Sequence, residues 1–355
     1  MDDERHHDIA QGPVCPIPIN DYPAVLLAHG GGGKLGNHLV EKMFVPQFAN
    51  ALLSQMHDGS VVDINGTRIA MSTDSYVVKP ITFPGGSIGE LAVNGTVNDL
   101  AMCGAKPMYL SAGFVIEEGF PMEELWRVVT AMQRAAENAG VQIITGDTKV
   151  VDKGKGDGIF INTAGIGIVP PGVDIRPARA TPGDIVILNG PIAAHGMAIM
   201  SAREGLEFET TIRSDTAALN GLVECMLKAC PDIHVLRDPT RGGVASATNE
   251  VARSAQVGIE LDESRIIIAD EVRAACEILG FDPLYVANEG LVLALVPADF
   301  AESVVRAMRT HPLGAESTAI GRVVRDHGGV VLLSTIIGGT RVVDMLSGEQ
   351  LPRIC

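Results

Sequence analysis

The sequence predicts a two-domain α/β (α+β) protein, and three observations support this class. The chain has 355 residues, and domains typically contain about 100–200 residues each. Short apolar runs of strand length alternate with amphipathic segments of helix length in both halves. Four prolines separate the halves and mark a domain boundary, namely Pro170, Pro171, Pro177 and Pro182.

The first half alternates strands and helices from residue 68 onward. Ser87 and Glu90 form a capping box that begins a helix, and Gly104 ends it. A second helix has apolar residues at helical spacing and ends at Gly140. The intervening apolar runs have strand length. In chain order, the predicted elements are strand 68–78, helix 87–103, strand 108–116, helix 121–139, and strands 141–145 and 159–169.

The second half repeats the same alternation between short apolar runs and amphipathic segments. The predicted strands are 184–188, 235–238, 291–296, 319–324 and 330–337. The predicted helices are 193–203, 216–229, 243–255, 270–279 and 298–309. The pattern ends at Gly338-Gly339, so the rest of the chain is predicted to be mobile.

The predicted organisation therefore has four parts. An irregular lead-in at 1–28 precedes an N-terminal domain at 29–170. A C-terminal α/β domain follows at 171–338, and a mobile tail at 339–355 ends the chain.

Composition and charge restrict the classes of function. Hydrophobic residues make up 46% and charged residues 20% of the chain, which is typical of a globular protein. The net charge of −16 argues against a nucleic-acid or anionic-membrane surface, because binding phosphates requires a basic face. We expect no secretory signal and no membrane span, since no apolar run reaches about 18 residues. Six cysteines without a CxxC pair fit reduced thiols in a cytoplasm.

The most glycine-rich segment is HGGGGK at 29–34. Its backbone N–H groups could form a nest for an anion, and Lys34 could add a positive charge. The segment is not a Walker A loop, because Lys34 is followed by Leu35 instead of Ser or Thr. A flexible linker explains the glycines equally well, so both interpretations stay open.

Four aspartates stand where strands or helices are predicted to end: Asp74, Asp99, Asp147 and Asp238. Mg²⁺ prefers carboxylate oxygens and often bridges to substrate phosphates. Helix caps and Asx turns explain each aspartate singly, but the set of four favours a magnesium–nucleotide site. Asp238 begins DPTRGG (238–243), whose paired glycines at a predicted helix start suit a phosphate.

Three further residues are candidates for catalysis. Lys149 lies two residues after Asp147, so in a strand both side chains point to the same side. Glu289 precedes an apolar strand, a position that suits a catalytic carboxylate and an ordinary turn equally. Cys355 is the last residue, and a thiol on a mobile end could load at one site and react at another. A terminal cysteine can also arise by chance.

Seven segments carry a resemblance to a known family. They are HGGGGK (29–34), STDSYV (72–77), GELAVNGTVNDLAMCGAKP (89–107), TGDTKVV (145–151), DPTRGG (238–243), NEG (288–290) and the terminal PRIC (352–355). Together they resemble the HypE family of hydrogenase-maturation proteins, in the aminoimidazole-ribonucleotide synthetase-like superfamily. The resemblance covers nearly the whole chain from about His29. Several ATP enzymes share the aspartate motifs, whereas the PRIC ending is specific to this family.

The resemblance implies an ATP-dependent carbamoyl dehydratase. In this family the carbamoyltransferase HypF carbamoylates the terminal cysteine, and ATP with Mg²⁺ then drives dehydration of the thiocarbamate to a thiocyanate. The cyanide group passes to the HypC–HypD complex, which builds the iron centre of [NiFe]-hydrogenase. The resemblance also implies a homodimer in which two N-terminal domains form a β-barrel-like core, with ATP near the interface.

The family's residue roles carry over to matching positions. Cys355 is implied to be the carbamoyl acceptor, and Lys149 and Glu289 are implied to orient and deprotonate the carbamoyl nitrogen. Lys34 and the four aspartates are implied to bind Mg-ATP. His195 also matches a family motif, without an assigned role.

Two other functions are compatible with the sequence. The chain could be another ATP enzyme of the superfamily, such as a selenophosphate or purine-pathway synthetase, although Cys15 matches the reactive cysteine of the former poorly. A Cys355→Ala protein with full activity would favour this alternative. The chain could also be a non-catalytic adaptor with a docking tail, which Mg²⁺-dependent ATP hydrolysis requiring Asp74 or Asp238 would exclude.

Overall fold

The structure is a computed structural model that describes residues 24–203, 212–347 and 353–355. Most of the predicted lead-in, including Cys15, lies outside the described residues. The described chain enters through a 3-10 turn, Leu27–Gly30, and then a continuous helical segment. This segment consists of α1 (Lys34–Leu39), a π-helical turn (Val40–Phe44) and α2 (Val45–Gln47).

The N-terminal sheet has five strands in the order β1-β2-β7-β5-β6, and only β5 and β6 are parallel neighbours. Helix α3 packs on β2, β5 and β7, and α4 packs on α3. A short β3–β4 hairpin leads into α3. The bounds are β1 Ser60–Ile64, β2 Thr67–Tyr76, β3 Thr82–Phe83, β4 Gly86–Ser87, α3 Ile88–Met102, β5 Lys106–Glu117, α4 Met122–Ala139, β6 Gln142–Val151 and β7 Ile159–Ile168.

The opposite face of this sheet, which we call the outer face, carries exposed apolar side chains. Met71, Tyr109 and Ile166 lie in one row across β2, β5 and β7. Their exposed fractions, and that of Ile168, lie between 38% and 55%. A face this apolar is unusual for a surface exposed to water.

The C-terminal sheet has seven strands in the order β14-β13-β10-β12-β8-β11-β9 and is mixed, because β10 and β13 run parallel. Helices α6 and α9 pack together, and α7 packs on β10 and β13. The bounds are β8 Ile185–Leu188, α5 Ala194–Arg203, α6 Asn220–Ala229, β9 Val235–Arg237, α7 Gly243–Ala255, β10 Gly258–Asp262, α8 Asp270–Leu279, β11 Leu293–Val296, α9 Ala298–Arg309, β12 Thr318–Val324, β13 Val331–Ser334 and β14 Thr340–Val343.

The two-domain α/β prediction is confirmed, and most elements lie where the sequence predicts them. Helix α6 begins later than predicted, because side chains of α3 hold the preceding segment in an extended form. Asn98 accepts a hydrogen bond from the backbone N of Leu219 at 2.8 Å and donates to the carbonyl of Ala217 at 3.0 Å. Strands β1 and β10 were not predicted. In the described part of the chain, no helix combines the length and apolar character needed to cross a membrane.

The prediction of a mobile tail from residue 339 is wrong for its first part. Residues Thr340–Val343 form β14, which pairs with β13 after a turn closed by Thr335 N and Gly339 O at 2.8 Å. Met345 and Leu346 are buried, because their apolar side chains continue the core. Residues 348–352 lie outside the described residues.

Candidate active site

A cavity of about 260 Å³ lies where the N-terminal and C-terminal sheets meet. Its wall combines α3 and β2 with the loop between β9 and α7, the glycine-rich segment and the end of the chain. The lining residues are Gly32, Asn37, Asp58, Thr73, Asp74, Gly95, Asp99, Arg237, Asp238, Pro239, Thr240, Arg241, Gly243, Ala247, Glu250, Glu289 and Cys355.

Three carboxylates in this wall form a cluster, which we call the acidic cluster. One oxygen each of Asp58, Asp99 and Asp238 lies within 4.8 Å of the other two. Asp99 is on α3, where the hydroxyl of Ser72 donates a hydrogen bond to it at 2.5 Å. Asp238 directly follows the last residue of β9, so it lies where a strand ends and a loop begins, as predicted.

Burial and neighbouring charges shift the pKa values of all three carboxyl groups in the acidic cluster. Burial and the neighbouring carboxylates Asp238, Asp74 and Asp58 raise the pKa of Asp99 well above its usual range. Burial and Asp58 likewise raise the pKa of Asp238 to about 8, against the opposing charge of Arg237. Burial alone would raise the pKa of Asp58, but Arg237 and then His57 lower it.

The acidic cluster fits a divalent cation. Asp58 Oδ2 accepts no hydrogen bond within the described residues, and its nearest ion-pair partner there, His57 Nδ1, is 3.6 Å away. Asp58 Oδ1 pairs with Arg237 Nη1 at 3.0 Å. An enclosed, unpartnered carboxylate oxygen needs a compensating charge. Mg²⁺ prefers oxygen ligands of this kind, so Asp58, Asp99 and Asp238 are suited to hold it.

The glycine-rich segment lies against the cavity and is not a free linker. Gly32 has φ of +68°, and a side chain there would overlap Arg241. Arg241 Nη1 donates to the carbonyl of Gly30 at 3.0 Å. The predicted phosphate ligand Lys34 does not line the cavity, since its ammonium pairs with Asp344 at 2.5 Å.

The last three residues are docked beside β2. The backbone N of Val77 donates to the carbonyl of Cys355 at 2.9 Å, and the backbone N of Lys79 donates to that of Arg353 at 3.3 Å. The guanidinium of Arg353 forms an ion pair with Asp157. Ile354 is buried, so the thiol of Cys355 is held at the cavity wall.

Glu289 lies in the same cavity as this thiol. It is 4% exposed, and no residue in the described ranges hydrogen-bonds its Oε1 atom. Burial and the charges of Asp215 and Asp238 raise the pKa of Glu289 well above its usual range. Burial also raises the pKa of the Cys355 thiol to about 12, although Arg241 opposes the shift. The docked thiol is therefore protonated near neutral pH.

Two predicted site residues, Asp147 and Lys149, lie away from the cavity of their own chain. Asp147 and Lys149 pair with each other at 2.6 Å on the edge strand β6, and about two-thirds of each side chain is exposed. Neither lines the cavity. Of the four predicted aspartates, Asp74, Asp99 and Asp238 line it together.

Sequence reasoning missed Asp58 and Arg241. Asp58 stands just before β1, a strand the sequence did not predict, so no motif drew attention to it. Arg241 lies inside the DPTRGG motif and could have been found there. An arginine next to paired glycines at a helix start is a signal for anion binding.

Comparisons with known proteins agree with the fold and the motifs. Residues 56–169 match the family model of the N-terminal domain of AIR synthase related proteins, and residues 181–334 match the model of the C-terminal domain. The chain is 53% identical over 332 residues to the carbamoyl dehydratase HypE of Azotobacter vinelandii, covering 94% of this chain and 97% of that protein.

Two solved structures are similarly close. A HypE–HypF complex aligns with a TM-score of 0.83 and 47% identity, covering 87% of this chain and 99% of that chain. HypE in complex with ATP aligns with a TM-score of 0.79 and 45% identity, covering 94% and 100% of the two chains. The chain therefore belongs to the HypE family of carbamoyl dehydratases, within the AIR-synthase-related proteins.

Proposed function

We propose that the protein dehydrates an S-carbamoyl group on Cys355 to a thiocyanate at the expense of ATP, and so supplies cyanide to [NiFe]-hydrogenase. The observation that carries this proposal is the docking of the terminal thiol in the cavity that contains the acidic cluster. A relative that binds ATP, with 45% identity, supports ATP as the energy source.

The reaction removes one water from the carbamoyl group. The carbonyl oxygen is a poor leaving group, so transfer of a phosphoryl group from ATP to this oxygen turns it into phosphate. The nitrogen loses one proton as the C=N bond forms and a second as phosphate leaves. The products are the S-cyano group, ADP and phosphate.

Seven of the lining residues have a task in this scheme. Glu289 accepts a proton from the carbamoyl nitrogen, since its unpartnered oxygen faces the same cavity as Cys355. Asp58, Asp99 and Asp238 hold Mg²⁺, which neutralises phosphate charge when bound, with Asp74 beside them. Arg241 and the backbone around Gly32 offer donors to phosphate oxygens.

The docked position of the tail bears on which partner proteins the reaction needs. The thiol of Cys355 lines an enclosed cavity, where burial raises its pKa to about 12 and so disfavours the reactive thiolate. We therefore expect the tail to leave the cavity to receive the carbamoyl group. The carbamoyltransferase HypF is the proposed donor, and the relative solved with HypF supports this. The HypC–HypD complex is the proposed acceptor of cyanide.

A homodimer accounts for the positions of Asp147 and Lys149. Both side chains lie on the outer face of the N-terminal sheet, because Lys149 is in register with Val115, which is 39% exposed. Two copies that bury this apolar face would each present Lys149 to the other. We propose that Lys149 orients the carbamoyl group in the partner's site, and that Asp147 positions it. Lys34 would bind phosphate only after leaving Asp344.

Intact-protein mass spectrometry tests the proposal. In a time course with carbamoyl phosphate, Mg-ATP and HypF, the expected adduct appears first on Cys355 and then loses one water. Cys355→Ser should abolish the adduct, whereas Cys225→Ser, a half-buried cysteine on α6, should retain it. An adduct on any other residue would contradict the proposal, and so would an adduct that never loses water.

A further inference from the structure

His195, on the first turn of α5, is fully buried and uses both ring nitrogens. Its Nε2 lies 2.8 Å from the carbonyl oxygen of Ile354, the residue before the terminal cysteine. Its Nδ1 lies 2.8 Å from the hydroxyl of Ser214. The ring therefore connects the docked tail with the segment that precedes α6.

The partners fix which nitrogen carries the proton. A carbonyl oxygen can only accept, so Nε2 must donate to Ile354. In a neutral ring Nδ1 then accepts, and the hydroxyl of Ser214 donates to it. Burial lowers the pKa of His195, although the charge of Asp215 opposes this, which is consistent with a neutral ring.

The surroundings leave the ring little freedom. The backbone N of Ser214 donates to Pro84 O at 2.8 Å, and the Ser214 hydroxyl accepts from the backbone N of Thr216 at 3.1 Å. The Phe83 ring meets the imidazole edge-on, with centroids 5.5 Å apart. A donor held this firmly defines one position for the Ile354 carbonyl.

We propose that His195 is a positioning residue for the dehydration step: its Nε2–H group, oriented by Ser214, holds the Ile354 carbonyl so that the loaded Cys355 stays within the cavity. This inference rests on the proposed function. The carbamoylation step needs the tail outside the cavity, so His195 has no task there. The two steps must therefore respond differently to loss of this donor.

Substitutions that keep or remove the donor separate positioning from packing. The amide nitrogen of Gln can take the place of His Nε2, whereas that of Asn reaches only the Nδ1 position. We expect His195→Asn to slow dehydration on the order of 10- to 100-fold in single turnover, as a misplaced reacting group does. His195→Gln should retain most of the rate. Carbamoylation by HypF and ATP affinity should stay unchanged in both variants.

A second variant covers the case in which His195→Asn does not fold. Ser214→Ala keeps the imidazole but removes the group that orients it, and should slow dehydration less than His195→Asn does. Ser303→Ala, an exposed serine on α9, is the matched control and should have no effect.

Three results distinguish the possible failures. If wild-type protein loads but never dehydrates, the proposed function itself is wrong. If wild type dehydrates, and His195→Asn and Ser214→Ala both dehydrate as fast as wild type, the positioning role is wrong. The inference is also overturned if His195→Gln and His195→Asn slow dehydration by the same factor, or if either variant slows carbamoylation as much as dehydration. In both cases His195 serves packing alone.

Discussion

The cavity concentrates negative charge in an enclosed space. Six acidic side chains and two arginines line it, so the carboxylates there repel one another. Burial, and after it this repulsion, raises the pKa values of Asp99, Asp238 and Glu289. Perturbed groups that converge in a cleft are typical of functional sites. A cation and phosphate-binding donors would relieve this repulsion in the working protein.

Removal of metal should make the stability of the protein depend on pH. Asp238 has an ordinary pKa near 3.8 when unfolded and about 8 when folded. The folded state thus binds more protons between these values, and the free energy of unfolding falls as pH rises from about 4 to 8. Mg²⁺ at about 100 times its Kd should restore about 2.7 kcal/mol.

Scanning calorimetry with EDTA and with Mg²⁺ measures both effects. Asp238→Asn should flatten the decline with pH and remove the stabilisation by Mg²⁺. The exposed control Asp152→Asn should behave as wild type. Equal stabilisation by Mg²⁺ in Asp238→Asn and wild type would place the cation elsewhere.

Glu289 should impose a pH dependence on dehydration. Its raised pKa means that the carboxyl is protonated at low pH, where it cannot accept a proton. The single-turnover rate of the loaded protein should therefore rise with pH until Glu289 is ionised. Glu289→Gln should lower the rate by about 10²–10⁴-fold and remove this rise. A Glu289→Gln protein that keeps the same pH profile would show that another group is the base.

At the scale of elements, the end of the chain is docked along the segment that follows β2. Residues 353–355 run beside Val77 and Lys79 through backbone hydrogen bonds, and the Arg353 side chain also donates to Val77 O at 3.0 Å. Arg203 donates to the carbonyl of Arg353 at 3.0 Å. Among the described residues, Arg353 is held by these hydrogen bonds, by its ion pair with Asp157 and by contact with the Phe160 ring, whose centroid lies 5.9 Å from the guanidinium carbon. The end of the chain can therefore be released without disrupting the core beyond Ile354.

Weakening the outer contacts should expose the thiol. Asp157 pairs with both Lys79 and Arg353, so Asp157→Ala should shift the tail toward its undocked form. We expect Cys355 to react with iodoacetamide several-fold faster, because the released thiol regains an ordinary pKa near 8.5. Peptide mapping of the alkylated protein measures this rate. Asp152→Ala is the control, and an unchanged rate in Asp157→Ala would show that these contacts do not limit release.

The sequence could predict elements whose signals are local. Helix α3 follows from its capping box, in which the Ser87 hydroxyl accepts from Gly89 N at 3.1 Å. Docking of the tail could not be predicted, because Arg353 and Val77 lie 276 positions apart. Strand β14 was missed for a different reason: Gly338-Gly339 predicts the end of the regular pattern, whereas Gly339 closes the turn of a hairpin that pairs β14 with β13.

Of the candidate site, too, the sequence could predict the residues that stand in local motifs, but not those that only the fold brings to the cavity. Asp74, Asp99 and Asp238 were predicted because each stands in a motif at the end of an element. Asp58 has no such context, and only the fold brings it to the cluster. Asp147 stands in an equally clear motif, yet within one chain the fold keeps it on an edge strand away from the cavity. A motif identifies candidate residues for a site, but it does not specify where the fold places them.

At the scale of the whole molecule, the described residues cover the N-terminal sheet on one face only. Helix α3 packs on the inner face, while Met71, Ile166 and Ile168 on the outer face are 55%, 40% and 46% exposed. Stable interfaces typically bury about 1,200–2,000 Å² and have an apolar centre. Pairing of two outer faces would give such an interface its apolar centre and would bring β6 of each copy, with Lys149, to the interface.

Mixed dimers can test whether Lys149 acts across this interface. A Lys149→Ala chain and a Cys355→Ser chain should each be inactive alone. In a dimer of one of each, the intact Cys355 would face the intact Lys149 of the other copy, so one of the two sites would be complete. We expect about half the wild-type dehydration rate per mixed dimer, because a two-fold assembly has two equivalent sites.

The alternative makes the opposite prediction. If Lys149 served its own chain, each site in the mixed dimer would lack one group, and the rate would stay near zero. Lys153→Ala, in the loop after β6, is the matched control: paired with Cys355→Ser it should give the same half rate under either arrangement. A mixed dimer as inactive as its parents, beside an active control, would therefore remove Lys149 from the partner's site. The apolar outer face would then account for dimerisation alone, without a role in the chemistry.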